Sequence, residues 1–119
     1  MSKILLAEDD DAMRTFLSAS LRRAGHDVQD YEDGEGALEA LEREVFDLLL
    51  TDIVMPGSDG IELARRGAEL DPAMKIVYIT GYAAVDLSGS SPTPAGAKVL
   101  SKPFHLRELV EEVERVMAA

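Results

Sequence analysis

Apolar residues along the chain form two patterns, short continuous runs and stripes with helical spacing. The central run is Leu48-Leu49-Leu50, which leads through Thr51 to a single carboxylate at Asp52 and a proline at Pro56. Short apolar runs bounded by turn residues are typical of strands buried on both faces, as in a parallel sheet. Similar runs predict further strands at residues 3–7, 27–31, 76–79 and 99–100, the second of them toward the sheet edge.

Apolar residues spaced three or four positions apart predict helices between these strands. Gly25 closes the first helix, because glycine favours the left-handed backbone found at helix ends. A loop at 57–60 precedes the third helix, which ends near Asp71-Pro72. The stripes contain Met13, Phe16, Leu17, Leu21 and Ala24 in the first helix, Ala37, Leu38, Leu41 and Val45 in the second, Ile61, Ala64 and Ala68 in the third, and Leu106, Leu109, Val110, Val113, Val116 and Met117 in the last.

Strands alternating with helices predict an α/β fold, a doubly wound five-stranded parallel sheet with right-handed crossovers. Residues 88–94 interrupt this alternation, because they contain one Gly and two Pro where a fourth helix is expected. Proline and glycine break helices, so we expect that helix to be short or irregular.

Length, composition and charge narrow the class of protein. The chain has 119 residues, 46% of them hydrophobic, which predicts a single domain over residues 1–119. A net charge of −11 argues against nucleic-acid binding, since phosphate contact needs a basic face. There is no Cys for a disulfide or thiolate site. With no apolar stretch long enough for a membrane span and no signal peptide, we expect a cytoplasmic location.

Polar residues follow the predicted strands at one edge of the sheet. The acids Glu8-Asp9-Asp10-Asp11 follow the first strand, Asp52 ends the third, Thr80 ends the fourth and Lys102 follows the fifth. Parallel strands bring their carboxyl ends together, at the edge where ligands bind in such sheets. Crowded carboxylates repel one another and need a cation or a proton, and oxygen ligands favour Mg²⁺.

Such a site is equipped for phosphate chemistry. A carboxylate can be the nucleophile, while Mg²⁺ and a Lys ammonium stabilise the transferring phosphoryl oxygens. Taken singly, each residue has a simpler explanation. The acids can cap a helix, Thr80 can bond to backbone, and Lys102 can be a surface cation.

Together these residues resemble a known family. Glu8-Asp9, Asp52 with Met55-Pro56, Gly60, Thr80 and Lys102-Pro103-Phe104 are similar, in order and across the whole chain, to the receiver (CheY-like) domain of two-component response regulators. The resemblance implies the flavodoxin-like fold and a protein of phosphorelay signal transduction. It implies no enzymatic activity apart from self-phosphorylation and autodephosphorylation at one aspartate.

The resemblance also implies a role for each site residue. Asp52 would be the phosphoacceptor. Mg²⁺ would be held by Asp9 directly, by Glu8 through water, by Asp52 and by the backbone carbonyl of Val54. Thr80 and Lys102 would bind the phosphoryl oxygens. Asp10 and Asp11 are expected to be helix-start residues instead.

The implied partners are proteins. A sensor histidine kinase or histidine phosphotransferase would supply the phosphoryl group, and a downstream protein would sense it. The chain ends with its last helix, so we expect a stand-alone receiver without an output domain. Residues 51–56, residues 101–109 and the Ala-Ala terminus resemble single-domain receivers whose unphosphorylated form acts as an adaptor for ClpX in the ClpXP protease.

Two departures from the family pattern concern how phosphorylation at the site would change the rest of the protein. Val99 stands where receivers carry an aromatic residue, and residues 84–96 replace a regular helix. A short Pro-interrupted segment is a candidate two-state element. Two alternative functions stay open at this point: a flavodoxin-like electron carrier and an Mg²⁺-dependent phosphatase with an Asp nucleophile.

Overall fold

Helices and strands alternate through residues 3–52, as predicted, and a short hairpin separates the third strand from the third helix. The computed structural model describes residues 2–55, 58–80, 98–101 and 106–118. In chain order the elements are β1 (Lys3–Ala7), α1 (Asp11–Arg23), β2 (Asp27–Tyr31), α2 (Gly34–Arg43), β3 (Leu48–Asp52), β4 (Val54–Met55), β5 (Ser58–Asp59), α3 (Gly60–Leu70), β6 (Lys75–Thr80), β7 (Lys98–Ser101) and α4 (Leu106–Ala118).

The main sheet of the described residues has five parallel strands in the order β2-β1-β3-β6-β7. The parallel, flavodoxin-like sheet is therefore confirmed, with β2 at an edge and β3 in the centre. Ala7 of β1 lies opposite Thr51 of β3, and Asp52 lies opposite Ile79 of β6. These registers bring the carboxyl ends of β1, β3 and β6 side by side.

Side chains of the central strands alternate between two hydrophobic cores. Leu48 and Leu50 pack in one core with residues of α1 and α4, whereas Leu49 packs in the other with residues of α2 and α3. All three leucines have no exposed surface. Successive strand residues point to opposite faces, so a continuous apolar run is what a sheet covered on both faces requires.

Aspartates begin three of the described helices. The side chains of Asp10, Asp33 and Asp59 accept hydrogen bonds from backbone N–H groups in the first turns of α1, α2 and α3. Such caps satisfy amides that have no partner within the helix. Gly25 has a φ of 100°, which confirms its predicted place after α1. α3 ends at Leu70, just before Asp71-Pro72 as predicted.

Three residues of the predicted helical stripes are exposed instead of buried, and one of them is Ala24, the residue that caps the end of α1. Phe16 on α1 is 56% exposed, because α1 directs Leu17, Ser18 and Leu21 inward. Val45 is 73% exposed and lies outside α2, which ends at Arg43. The chain is extended at the helix end, and the next residue, Phe46, enters the core at 2% exposure.

The loop predicted at 57–60 has more order than expected at its ends. Val54–Met55 and Ser58–Asp59 pair as a short antiparallel hairpin, and α3 begins at Gly60. The irregular segment predicted at 88–94 lies outside the described residues. None of the helices in the described part of the chain combines the length and apolar character needed to span a membrane.

Tyr78 of β6 carries a hydroxyl that is buried in the core between the sheet and helices α2 and α3. The side chain has no exposed surface, and its hydroxyl has no hydrogen-bond partner among the described residues. Burial, with a smaller contribution from the charge of Asp59, raises the pKa of Tyr78 to about 12. The core thus holds a phenol that ionises less readily than in the unfolded chain.

We predict that Tyr78→Phe stabilises the protein at pH 7 by about 1 kcal/mol, because it removes a buried hydroxyl without a partner. The tyrosine should ionise near pH 10 in the unfolded chain but near 12 in the folded one. The wild type should therefore lose roughly 2–3 kcal/mol of unfolding free energy between these pH values, and the variant should be spared this loss. Urea unfolding at several pH values measures both effects.

Tyr31→Phe is the matched control, because the Tyr31 hydroxyl donates to Gln29 and accepts from Arg43. This variant should be slightly less stable at neutral pH. A Tyr78→Phe protein that is also destabilised, with an unchanged alkaline profile, would contradict the prediction.

Candidate acidic site

The acids that follow β1 and end β3 meet where the strand order reverses. From β1 the chain proceeds to β2 on one side and reaches β3 on the other. A crevice forms at the carboxyl ends of strands at such a reversal, and ligands bind there in open α/β sheets. Glu8 and Asp9 follow β1 directly, and Asp52 is the last residue of β3. The topology therefore brings these three predicted site residues together.

The three carboxylates form a compact cluster. One oxygen from each of Glu8, Asp9 and Asp52 lies within 4.8 Å of the others. Glu8 has no exposed surface and Asp52 is 6% exposed, whereas Asp9 is exposed to solvent. Two like charges about 4 Å apart repel by roughly 4 kcal/mol at an effective dielectric constant of about 20. A bound cation would remove much of this repulsion.

The donor set of the cluster favours a hard divalent cation. All three groups offer carboxylate oxygens, and neither imidazole nor thiolate belongs to the cluster. Mg²⁺ prefers such oxygen ligands and retains several waters, so it is usually bound through one or two carboxylates. The exposed side of Asp9 leaves a route for water and for a second oxyanion.

Backbone and side-chain contacts fix the segment that carries Glu8. Its N–H donates to the carbonyl of Tyr31 on β2 at 3.0 Å, which extends the strand pairing by one residue. Its carboxylate accepts from the N–H of Asp10 at 3.2 Å. Its carbonyl accepts from Nη1 of Arg14 at 2.9 Å. Glu8 is therefore held by β2, by the start of α1 and by a guanidinium.

The peptide after Asp52 is held equally closely. The N–H of Ile53 donates to the carbonyl of Ile79 at 3.0 Å, and the N–H of Gly60 donates to the carbonyl of Ile53 at 2.8 Å. A Cβ atom at Gly60 would lie 1.8 Å from the carbonyl oxygen of Asp52. Only glycine fits this approach without a backbone shift, which gives Gly60 a structural role beside the cluster.

The remaining predicted residues lie around the same edge or outside the described ranges. Thr80 ends β6, one residue beyond the position opposite Asp52, and its neighbour across the sheet is Ser101 of β7. Val54 begins β4, two residues after Asp52. Lys102 follows Ser101 but lies outside the described residues. Asp10 and Asp11 begin α1, which confirms their prediction as helix-start residues.

Sequence reasoning did not identify Arg14 as part of this region. Its guanidinium contacts the carbonyl of Glu8, the carboxylate of Asp11 and, at 3.9 Å, the carboxylate of Asp30 on β2. The hydrogen bond to Asp11 is the main reason why the pKa of Arg14 is raised above its usual value. The available signal was its position, three residues after Asp11 and one turn into α1.

Comparisons with known proteins agree on one family. A family model described as the response regulator receiver domain matches residues 4–114. The response regulator receiver protein CpdR of Brucella abortus (strain 2308) is 58% identical over 119 residues, which are 100% of this chain and 99% of that protein.

Solved structures give the same result. A response regulator receiver protein from Sinorhizobium medicae WSM419 superposes with a TM-score of 0.91 at 34% identity, over 99% of this chain and 95% of that one. The response regulator TrrA of Thermotoga maritima, solved in complex with Mg²⁺-BeF, superposes with a TM-score of 0.85 at 31% identity, over 98% and 99% of the two chains.

We predict that Gly60→Ala destabilises the protein by about 2–3 kcal/mol, because the added methyl group must displace the backbone at Asp52. Gly36→Ala is the matched control. Its added Cβ would meet only side-chain atoms, of Tyr31 at 3.1 Å and of Asp33 at 3.4 Å, and alanine is the better helix former. Urea unfolding should place this control within about 1 kcal/mol of the wild type. Equal stability of the two variants would contradict the steric role of Gly60.

Proposed function

The chain belongs to the response regulator receiver family, and we propose that it is a phosphorylation-controlled regulator in which Asp52 accepts a phosphoryl group. The observation that carries the proposal is the cluster of Glu8, Asp9 and Asp52 at the reversal of strand order. Asp52 is the member of the cluster that ends a central, fully covered strand, so its carboxylate has the most rigid support.

We propose that Mg²⁺ binds beside Asp52. Asp9 would coordinate it directly and Glu8 through water, with Asp52 and the backbone carbonyl of Val54 as the other protein ligands. The all-oxygen cluster supports this assignment, as does a related protein, TrrA, that was solved with Mg²⁺-BeF. When bound, the ion would neutralise charge on the transferring phosphoryl oxygens.

The proposed reaction transfers a phosphoryl group to Asp52, either from an oxygen atom of acetyl phosphate or from a nitrogen atom of phosphohistidine. A carboxylate oxygen of Asp52 forms a bond to phosphorus while the bond from phosphorus to the donor atom breaks. The donor atom keeps the electron pair of the broken bond. With phosphohistidine the leaving group is the histidine imidazole, whose nitrogen takes up a proton, and with acetyl phosphate the leaving group is acetate. Thr80 and Lys102 are the residues that we propose to bind the phosphoryl oxygens.

The family supports a proposal for the phosphoryl donor and for the downstream partner. We propose a sensor histidine kinase or histidine phosphotransferase as the donor, since receivers belong to two-component systems. A phosphoryl group adds about −1.5 to −2 charges, which can bias two conformations of the protein. ClpX, as part of the ClpXP protease, is the downstream partner that the sequence resemblance favours.

We predict that acetyl phosphate with Mg²⁺ adds one phosphoryl group to the wild type and none to Asp52→Asn, because the amide is not a nucleophile of comparable strength. Intact-mass spectrometry measures the added group. Asp59→Asn is the matched control: Asp59 caps α3 outside the cluster, and asparagine caps helices equally well. A phosphoryl group on Asp52→Asn, or none on Asp59→Asn, would contradict the assignment.

The same samples test the proposed partner. Purified ClpX should bind the untreated wild type and Asp52→Asn alike, and treatment with acetyl phosphate should weaken binding only in the wild type. Binding that does not change with phosphorylation would leave Asp52 as the phosphoacceptor but would remove ClpX as the regulated partner.

A further inference from the structure

Arg14 links three elements next to the acidic cluster. From α1 its Nη1 reaches back to the carbonyl of Glu8 at the end of β1, and its Nε faces the carboxylate of Asp30 on β2. Asp11, one turn earlier on α1, accepts from Nη2 at 2.5 Å. The Arg14 side chain is 17% exposed and its bond to the Glu8 carbonyl is partly buried, whereas the carboxylate of Asp11 is 82% exposed.

The partner of Arg14 on β2 is itself fixed. Asp30 accepts a hydrogen bond of 2.5 Å from the hydroxyl of Ser18, which is 1% exposed. Arg22 also lies 3.8 Å from this carboxylate, but its side chain is 55% exposed, so this ion pair adds little to the position of Asp30. A guanidinium is planar with donors in a fixed fork, so anchoring it at Asp11 and Asp30 also fixes the donor that holds Glu8.

The contact of Arg14 with the Glu8 carbonyl lies between two members of the cluster, Glu8 and Asp9. Glu8 and Asp9 share the peptide group whose oxygen Arg14 binds. The bond to this carbonyl restrains the ψ angle of Glu8 and the φ angle of Asp9, which together set where Asp9 lies relative to the end of β1. A change in either angle that the other does not compensate would shift Asp9 away from Asp52, and repulsion among the carboxylates favours such a shift.

We infer that Arg14 is a positioning residue for the metal site, which orients Glu8 and Asp9 toward Asp52 through the carbonyl between them. This inference rests on the proposed function, since Mg²⁺ is the proposed ligand. The contact that carries the inference is the one with the Glu8 carbonyl, a backbone atom. Arg14 acts on the geometry of the unloaded site.

The orienting role of Arg14 and its positive charge predict opposite effects on Mg²⁺ affinity when the residue is replaced, so an experiment can separate them. If Arg14 acted only as a nearby positive charge, its removal would tighten binding of a dication. If it acts by orienting the peptide, its removal should weaken binding. Loss of groups that orient metal ligands typically costs at least tenfold in affinity.

The experiment measures Mg²⁺ affinity by isothermal titration calorimetry in the wild type, Arg14→Gln and Arg14→Lys. We expect about tenfold weaker binding in Arg14→Gln. Arg14→Lys should also bind more weakly, because an ammonium cannot reproduce the fork that joins Glu8, Asp11 and Asp30. With saturating Mg²⁺, phosphorylation by acetyl phosphate should return to within about twofold of the wild-type rate in both variants.

Arg22→Gln is the matched control. Arg22 lies on the same helix and faces the same Asp30, but its hydrogen bond goes to the carbonyl of Val28, away from the cluster. Its Mg²⁺ affinity should equal that of the wild type. Hydrogen exchange without Mg²⁺ adds a second readout: the Asp10 amide, which donates to Glu8, should exchange faster in Arg14→Gln and not in Arg22→Gln.

Unchanged or tighter Mg²⁺ binding in either Arg14 variant would overturn the inference, and so would an unaltered Asp10 amide. Should Arg14→Gln fail to fold in urea titrations, Arg14→Lys keeps the charge and carries the test. The proposed function fails separately, if the wild type binds Mg²⁺ but accepts no phosphoryl group.

Discussion

Mutual repulsion among three carboxylates is the constraint on which the site depends. Glu8, Asp9 and Asp52 approach within 4.8 Å although two of them are buried, where charges are least screened. Side chains on a flexible segment would separate to relieve this repulsion. The parallel sheet prevents that, because β1 and β3 are adjacent strands whose backbone pairing continues to Ala7 and Thr51. The rigidity of the sheet therefore keeps the carboxylates together, ready for a cation.

The contacts around the cluster reinforce both of its sides. On the β1 side, Arg14 and the N–H of Asp10 hold Glu8. On the β3 side, Gly60 packs against the carbonyl of Asp52 and bonds the next peptide. Each side thus has a local contact that the sheet alone does not provide. Together they explain how an acidic site can be organised before a metal binds.

The sequence predicted the fold and the placement of the acids because both follow from simple periodicity and topology. Apolar runs such as Leu48-Leu49-Leu50 require a sheet covered on both faces, and parallel strands place their ends together. Features that depend on tertiary contacts were missed. Phe16 and Val45 fit helical spacing, yet both are exposed. Phe16 is exposed because α1 is rotated so that Ser18 faces the core, and Val45 is exposed because α2 ends at Arg43. Arg14 contacts Asp30 on β2 and the Glu8 carbonyl because α1 packs against the ends of these strands, and spacing within α1 does not reveal either contact.

The most direct test of the central claim is calorimetric titration of Mg²⁺ into the wild type, Asp9→Asn and Asp10→Asn. Each variant removes one negative charge from the same acidic run, but of Asp9 and Asp10 only Asp9 belongs to the cluster. Asparagine at position 10 preserves the helix cap. The account predicts that Asp9→Asn weakens Mg²⁺ binding by about tenfold or more, while Asp10→Asn binds like the wild type. Equal affinities in all three proteins would contradict it.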